Sequence, residues 1–265
     1  MDTRFWGPSG WRLLHTITFT YDESERSRLY YKNFFETLPF ILPCKFCRSS
    51  LTEYYRQLPC QDEVLSTKKT LTKWMYDIHN LVNHKLRTQG LNPTKDPSFE
   101  SVKEFYEKWL QTSHENQLVT FWDFLFSIAY NHPKESTPNS KPMPECPKGI
   151  RKCNDIHEKN KWNVLGKSHR MYWYKRFWEF LPAVLPSSMR DAWYDVQRRN
   201  KPILDCRRST IAWLWRMRCG MDQGFKDPYT IVCKKIASHA SGCSSSLRAK
   251  TCRKIRNSSH KTLKN

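Results

Sequence analysis

The chain has 265 residues, 45 basic against 25 acidic side chains, a formal net charge of +20 and ten cysteines. That length gives room for one or two compact domains, and 14% aromatic residues, 11 of them Trp, exclude disorder through most of the chain. No apolar run approaches the roughly 18 residues that span a bilayer, and Met1–Gly10 carries no basic-then-apolar leader, so the expectation is a soluble protein without a secretory signal.

Helical spacing dominates the first 115 residues. Pro8 and Ser9 read as starters of a helix in which Trp11, Leu14, His15 and Thr18 share one face. Tyr30, Phe34 and Leu38 mark a second, which Pro39 and Pro43 break, because proline cannot continue a helix it does not begin. A third starts at Pro43–Cys44 and runs through Leu51, Tyr54 and Leu58. A fourth carries Leu71, Trp74, Ile78, Val82 and Leu86, and Asp96–Pro97 opens a fifth with Val102, Phe105 and Trp109. No alternating strand pattern appears, so the fold class reads as all-α, beginning with a small bundle.

Within that bundle, Pro43-Cys44-Lys45-Phe46-Cys47 places two cysteines on one helical turn, close enough to form a disulfide. The helix N-terminus, Lys45 and Arg48 supply the positive potential that stabilises a Cys44 thiolate, the attacking species in thiol–disulfide exchange. A zinc reading, with His79-x4-His84 completing the ligands, needs about twice the usual finger spacing. A thioredoxin-like reading needs βαβ units, which the pattern lacks. His79 and Asn83 lie i, i+4 beside Val82 and Leu86, a polar pair on an apolar face. Each could be satisfied within a core; together with His15 and the cysteine pair they point to a cofactor held between helices.

Trp6-Gly7-Pro8-x-x-Trp11-x-x-x-His15, Pro43-Cys44-x-x-Cys47 and His79-Asn80-x-Val82-Asn83-x-x-Leu86, in this order, resemble the Erv/Alr family of FAD-linked sulfhydryl oxidases over about residues 5–110. The resemblance implies a bundle clasping FAD, with electrons passing from reduced protein thiols through Cys44 and Cys47 to the flavin and on to O2, yielding H2O2. It implies that Cys47 lies against the flavin, that Cys44 exchanges with incoming thiols, and that Gly7, Trp11, His15, His79, Asn80, Val82, Asn83, Lys85, Leu86 and Tyr106 contact FAD. Two positions depart from the family: Tyr76 stands where cellular members often carry a structural cysteine, and Leu42 where an aromatic often precedes the Pro-Cys pair. The chain most resembles the oxidases of large DNA viruses, which implies the host cytoplasm or the virion as its location.

The remainder reads as a degenerate copy. Tyr174 through Pro186 aligns with Tyr31 through Pro43 at a constant shift of 143, with eight of 13 positions identical. Trp122-x-x-Leu125-Phe126-x-Ile128 matches Trp11-x-x-Leu14-His15-x-Ile17, Trp213 follows Thr210 and Ile211 as Trp74 follows Thr70 and Leu71, and Lys226-Asp227-Pro228 repeats Lys95-Asp96-Pro97. Ser187 and Arg190 replace the cysteine pair, Phe126 replaces His15, and Arg218 and Cys219 replace His79 and Asn80, so the copy is expected to bind no FAD. The expected organisation is a domain over 1–115, a pseudo-domain over 116–240 interrupted by a Pro-, Lys- and Asn-rich linker at 133–168, and a basic disordered tail at 241–265.

Residues 1–115 hold 16 basic and 14 acidic side chains, residues 116–265 hold 29 and 11, and no acid follows Asp227. An anionic partner such as nucleic acid or a phospholipid surface fits that balance, and so does a merely solvated tail. Cys243 and Cys252, in the tail, are candidates for a shuttle that relays electrons to Cys44 and Cys47; Cys146 and Cys153 are the alternative pair, and structural disulfides account equally for both. The competing function is a basic nucleic-acid or virion interaction protein on an inactive oxidase fold. For assembly, the family suggests a homodimer through the first domain; the duplication offers an intramolecular pseudo-dimer instead.

Overall fold

The computed structural model describes residues 1–91, 94–113, 117, 119–134 and 154–240. Among these, all regular structure is α-helical. The first set of helices is α1 (Thr3–Phe19), α2 (Glu25–Ile41), α3 (Lys45–Gln57), α4 (Lys68–Thr88) and α5 (Phe99–Leu110).

Helix α1 starts earlier than expected, because Asp2 rather than Pro8 begins it: the Asp2 carboxylate accepts from the Arg4 N–H at 2.9 Å. Pro8 therefore sits in the second turn, preceded by Gly7, which has no Cβ to meet the proline ring. Pro39 likewise does not end α2, which continues to Ile41. Its ring leaves the Phe35 carbonyl without a helical donor, and the Tyr55 hydroxyl of α3 supplies one at 3.2 Å. Helix α3 begins after Cys44, as expected, α4 is opened by a reciprocal Thr67–Thr70 capping box, and α5 by the Ser98 side chain. Helix α1 packs on α4 and α5, while α3 packs on α2 and α4. Tyr76, at the departing position, ties the α4–α5 loop through its hydroxyl to Pro97 O at 2.9 Å.

The second set is α6 (Trp122–Tyr130), α7 (Ile156–Lys161), α8 (Lys167–Val184), α9 (Ser187–Arg199), α10 (Arg207–Met221) and α11 (Tyr229–Ser238). Its pairings follow those of the first set: α6 packs on α10 and α11 as α1 does on α4 and α5, and α9 packs on α8 and α10 as α3 does on α2 and α4. The expected linker at 133–168 is not a linker throughout. Residues 154–168 contain α7, docked on α3, and the start of α8. The reason is Asn160, 2% exposed, which donates to Pro39 O at 2.8 Å and to Thr52 Oγ1 at 3.0 Å.

The two sets meet across α1–α6 and, most extensively, α2–α8. Gly10 permits the first contact, since a Cβ there would meet the Phe124 ring at 3.0 Å, and Ser9 Oγ accepts from Phe124 N at 3.0 Å. In the second, the Phe34 and Phe177 rings lie 5.5 Å apart and Arg176 donates to Asn33 Oδ1. Both pairs are separated by 143 residues, the shift of the sequence repeat, so equivalent positions face each other as they do across a two-fold axis. Buried apolar side chains from Met1 to Ile236 form one continuous cluster, so the boundary near residue 115 divides the helices but not the core. No helix among the described residues is long and apolar enough to cross a membrane.

Candidate active site

Cys44 is the N-cap of α3, and its sulfur accepts from the Cys47 N–H at 3.3 Å. Both cysteines line a cavity of about 600 Å³ walled by α1, α3, α4 and α5. Of the residues expected around a cofactor, Gly7, Trp11, His79, Val82, Asn83, Lys85, Leu86 and Tyr106 line this cavity. His15 and Asn80 do not. His15 stands one layer behind, 2% exposed, with Nε2 3.1 Å from His79 Nδ1. Asn80 follows His79 on the helix and is therefore turned about 100° from it.

The wall is aromatic and held from behind. Trp11 stacks on His79 at 3.8 Å and 11°, and Tyr106 on His15 at 4.9 Å. Burial pushes His15 down to about 3 and His79 to about 4, so both imidazoles are neutral near pH 7 and one donates to the other. Burial pushes the Tyr106 phenol up to about 12. Asn83 is braced by Asp96, to which it donates at 2.8 Å and which Arg87 pairs at 2.6 Å. Lys85 reaches across to Ser50 Oγ of α3.

The two cysteines differ in burial: Cys44 is 3% exposed and Cys47 half-buried. The cap geometry explains this, because it turns the Cys44 thiol back under the helix start, into the core cluster with Leu38 and Leu42. Sequence reasoning also missed lining residues. Ser50 and Tyr54 follow Cys47 at i+3 and i+7, a helical spacing that could have found them. Phe124 comes from the second set, and no local pattern announces it. Leu42 lines the cavity at the position where the family often has an aromatic. His84 is exposed and does not line the cavity.

Two polar atoms at the cavity wall, Trp6 Nε1 and Arg12 Nη1, are buried without a hydrogen-bond partner among the described residues. Arg12 is sandwiched between the Phe105 and Trp109 rings, at 4.4 and 4.5 Å, which fixes its donors in place. Unsatisfied donors beside flat aromatic faces fit a large, planar, anionic ligand.

In the second set, a large ring is buried at the position 143 residues on from Ser50. Trp193 stands where Ser50 does and is 1% exposed, its ring 6.4 Å from Trp122 and 6.0 Å from Trp213. Arg218, at the position aligned with His79, covers the Phe225 ring at 3.8 Å. Cys146, Cys153, Cys243 and Cys252 lie outside the described residues.

The sequence pattern described as the Erv1 / Alr family matches residues 8–114, which supply most of the lining of this cavity. A protein of Invertebrate iridescent virus 6, named as an FAD-linked sulfhydryl oxidase, is 30% identical over 92 residues, which cover 32% of this chain and 83% of that protein. The chain belongs to the Erv1 / Alr family. A protein of Acanthamoeba polyphaga mimivirus, also named as an FAD-linked sulfhydryl oxidase, is 37% identical over 86 residues, 32% of this chain and 60% of that protein's length. The mitochondrial FAD-linked sulfhydryl oxidase ERV1 of Saccharomyces cerevisiae is 32% identical over 83 residues, 31% of this chain and 42% of its own. No solved structure matches the chain at a comparable level. The Erv1 / Alr stretch corresponds to α1–α5; α6–α11 lie beyond it.

Proposed function

We propose that this chain is an FAD-linked sulfhydryl oxidase that forms disulfides in protein substrates. The observation that carries the reading is one cavity onto which both cysteines of the pair open, beside stacked aromatic rings and two unsatisfied donors. Two substrate thiols lose two electrons and two protons as their disulfide forms, and O2 takes up both as H2O2. FAD, when bound, carries the electron pair between the dithiol and oxygen. The chain's own residues do the rest. Cys44 and Cys47 exchange with substrate and then close their own disulfide, the thiolate being favoured by the α3 N-terminus. Trp11, His79 and Tyr106 offer flat faces to the flavin and adenine rings, while Arg12, Lys85 and Trp6 offer donors to its polar groups. The neutral His15–His79 pair orients Trp11 and adds no positive charge to a wall that already holds Arg4, Arg12 and Lys85.

Purified protein should be yellow and keep its flavin absorbance after desalting. Cys47→Ser should leave FAD bound but abolish its reduction by dithiothreitol, and Cys44→Ser should block turnover. Wild-type turnover in either variant would refute the assignment. The excess of cations beyond residue 116 favours the second reading, a basic interaction protein; a colourless protein that binds nucleic acid tightly is its signature.

We read residues 116–240 as a degenerate Erv1 / Alr copy that has lost its cofactor. The repeated helix pairings, the self-facing residues 143 apart and the Trp193 ring support this. We further read the chain as an intramolecular pseudo-dimer rather than the homodimer the family suggests, because α6 and α8 cover the α1–α2 face. The viral relatives support action in the host cytoplasm or the virion.

A further inference from the structure

Arg48, one residue beyond the Cys44–Cys47 pair, is 5% exposed, yet among the described residues no carboxylate pairs with it. Its Nη1 donates to Leu42 O at 2.8 Å and its Nη2 to Asn163 Oδ1 at 2.7 Å. A buried guanidinium without a counter-charge costs free energy, and neutral oxygens offset only part of that cost. Arg48 N donates to Cys44 O at 3.0 Å, so the two residues lie one helical turn apart on the same face of α3, and the guanidinium is held at the Leu42 carbonyl two residues before Cys44. The Tyr174 hydroxyl serves other partners, donating to Asn131 O at 3.1 Å and accepting from Arg170 at 3.1 Å, so the acidic groups nearest to Arg48 along α3 are the two cysteines.

Asn163 belongs to the second half of the chain. It sits at the solvent edge just after α7 with φ of 58°, a left-handed conformation that asparagine tolerates better than most residues. Asn160 to Thr52, Lys161 to Glu53 at 2.9 Å and Glu158 to Arg56 at 2.6 Å fasten this segment along α3. The side chain that holds Arg48 is thus itself held.

We propose that Asn163 positions the Arg48 guanidinium as the counter-cation of the Cys44–Cys47 pair, so that the second half of the chain sets how readily the pair forms its thiolate. The proposal rests on the oxidase reading for its purpose but not for its test. Other charged and titratable groups lie around the pair: Lys45, Tyr54 and Tyr55 on α3, His79 and Lys85 on α4, Arg4 and Arg12 on α1, Tyr106 on α5 and the Met1 nitrogen at Pro43 O, while Arg170 on α8 acts on Arg48 itself. None of them depends on Asn163 for its position.

The test is the pH dependence of alkylation. The full chain is reduced with dithiothreitol, desalted without oxygen, treated with iodoacetamide for timed intervals, and the Cys44 and Cys47 peptides are quantified by mass spectrometry. Asn163→Gly keeps the left-handed backbone and removes the oxygen, and should raise the midpoint of the more reactive cysteine by about one pH unit, leaving roughly tenfold less thiolate below it. Asn163→Asp holds Arg48 but neutralises it, and should raise the midpoint at least as far. Arg48→Lys should move it less than Arg48→Gln. A merely structural asparagine predicts that Asn163→Asp leaves the midpoint within a few tenths of the wild type, and that result overturns the proposal. Alkylation needs neither flavin nor turnover. A shifted midpoint in a chain that binds no FAD would leave this arrangement standing and remove only the oxidase reading.

Discussion

His132 shows what a single residue contributes to the pH response of the whole. Its Nε2 accepts from Trp178 Nε1 at 3.0 Å and its Nδ1 lies 3.3 Å from Thr210 Oγ1, so the ring has no room for a second proton. Burial, with Arg170 and Arg207 nearby, pushes it down to about 3. His15 at about 3 and His79 at about 4 share this direction. Unfolded, each titrates near 6.5, so below that pH the unfolded chain binds more protons than the folded one. Stability should therefore be level above pH 6.5 and fall as pH drops towards 4, each histidine adding up to about 1.4 kcal/mol per pH unit. Urea midpoints at pH 7.5, 6.0, 5.0 and 4.5 measure this. His132→Gln should lose about one proton's share of the slope, and a midpoint independent of pH across that window would contradict the assignment.

At the scale of elements, α7 matters out of proportion to its length. Six residues would not hold a helix in isolation. What holds this one is Asn160, buried against the Pro39 carbonyl, which caps the proline-altered end of α2. Asn160→Ala strands that carbonyl and removes a donor from Thr52 Oγ1, and should cost about 1–3 kcal/mol in chemical denaturation. A loss within experimental scatter would mean that α7 is not fastened there. The first five helices were largely legible, because each has a capping side chain and a 3.6-residue apolar stripe: Ser24 with Phe34 and Leu38, or Thr67 with Leu71, Trp74 and Ile78. Pro8 and Pro39 misled because their local cost is met elsewhere, by Gly7 and by Tyr55. The sequence signal for α7 was weak, since a six-residue helix rich in Lys, Asn and Glu carries no stripe and reads as linker.

At the scale of the molecule, the proposed pseudo-dimer would have the α2–α8 contact take the place of a subunit interface. Light scattering of the full chain should give about the 31.8 kDa of one copy, and a stable mass near twice that would count against the pseudo-dimer. Phe177→Ala removes a fully buried ring that meets its own equivalent, and should cost about 3–5 kcal/mol. Because the core is continuous, both halves should unfold in one transition in the variant as in the wild type, and two separated transitions would show independent domains. For the tail, truncation after residue 240 should slow oxidation of a reduced protein while sparing small dithiols, if Cys243 and Cys252 carry electrons inward. Equal loss on both substrates, or on neither, would remove the tail from the path.

The sequence by itself determined the family, the cysteine pair and most of the cavity wall. Those depend on residue type at helical spacing, which the chain displays locally: Cys44 with Cys47, His79 with Asn83, Trp11 with His15. It also shows Ser187 and Arg190 at the positions 143 residues on from Cys44 and Cys47. Only the tertiary structure decided which groups meet across long separations. It placed His15 behind His79, closed Phe124 over the cavity from the second half, and laid Asn163 on Arg48. The physical reason is that local propensity and periodicity act within a few turns. Which face covers which is settled by burying apolar area and satisfying polar atoms over the whole core at once, and no single segment carries that information.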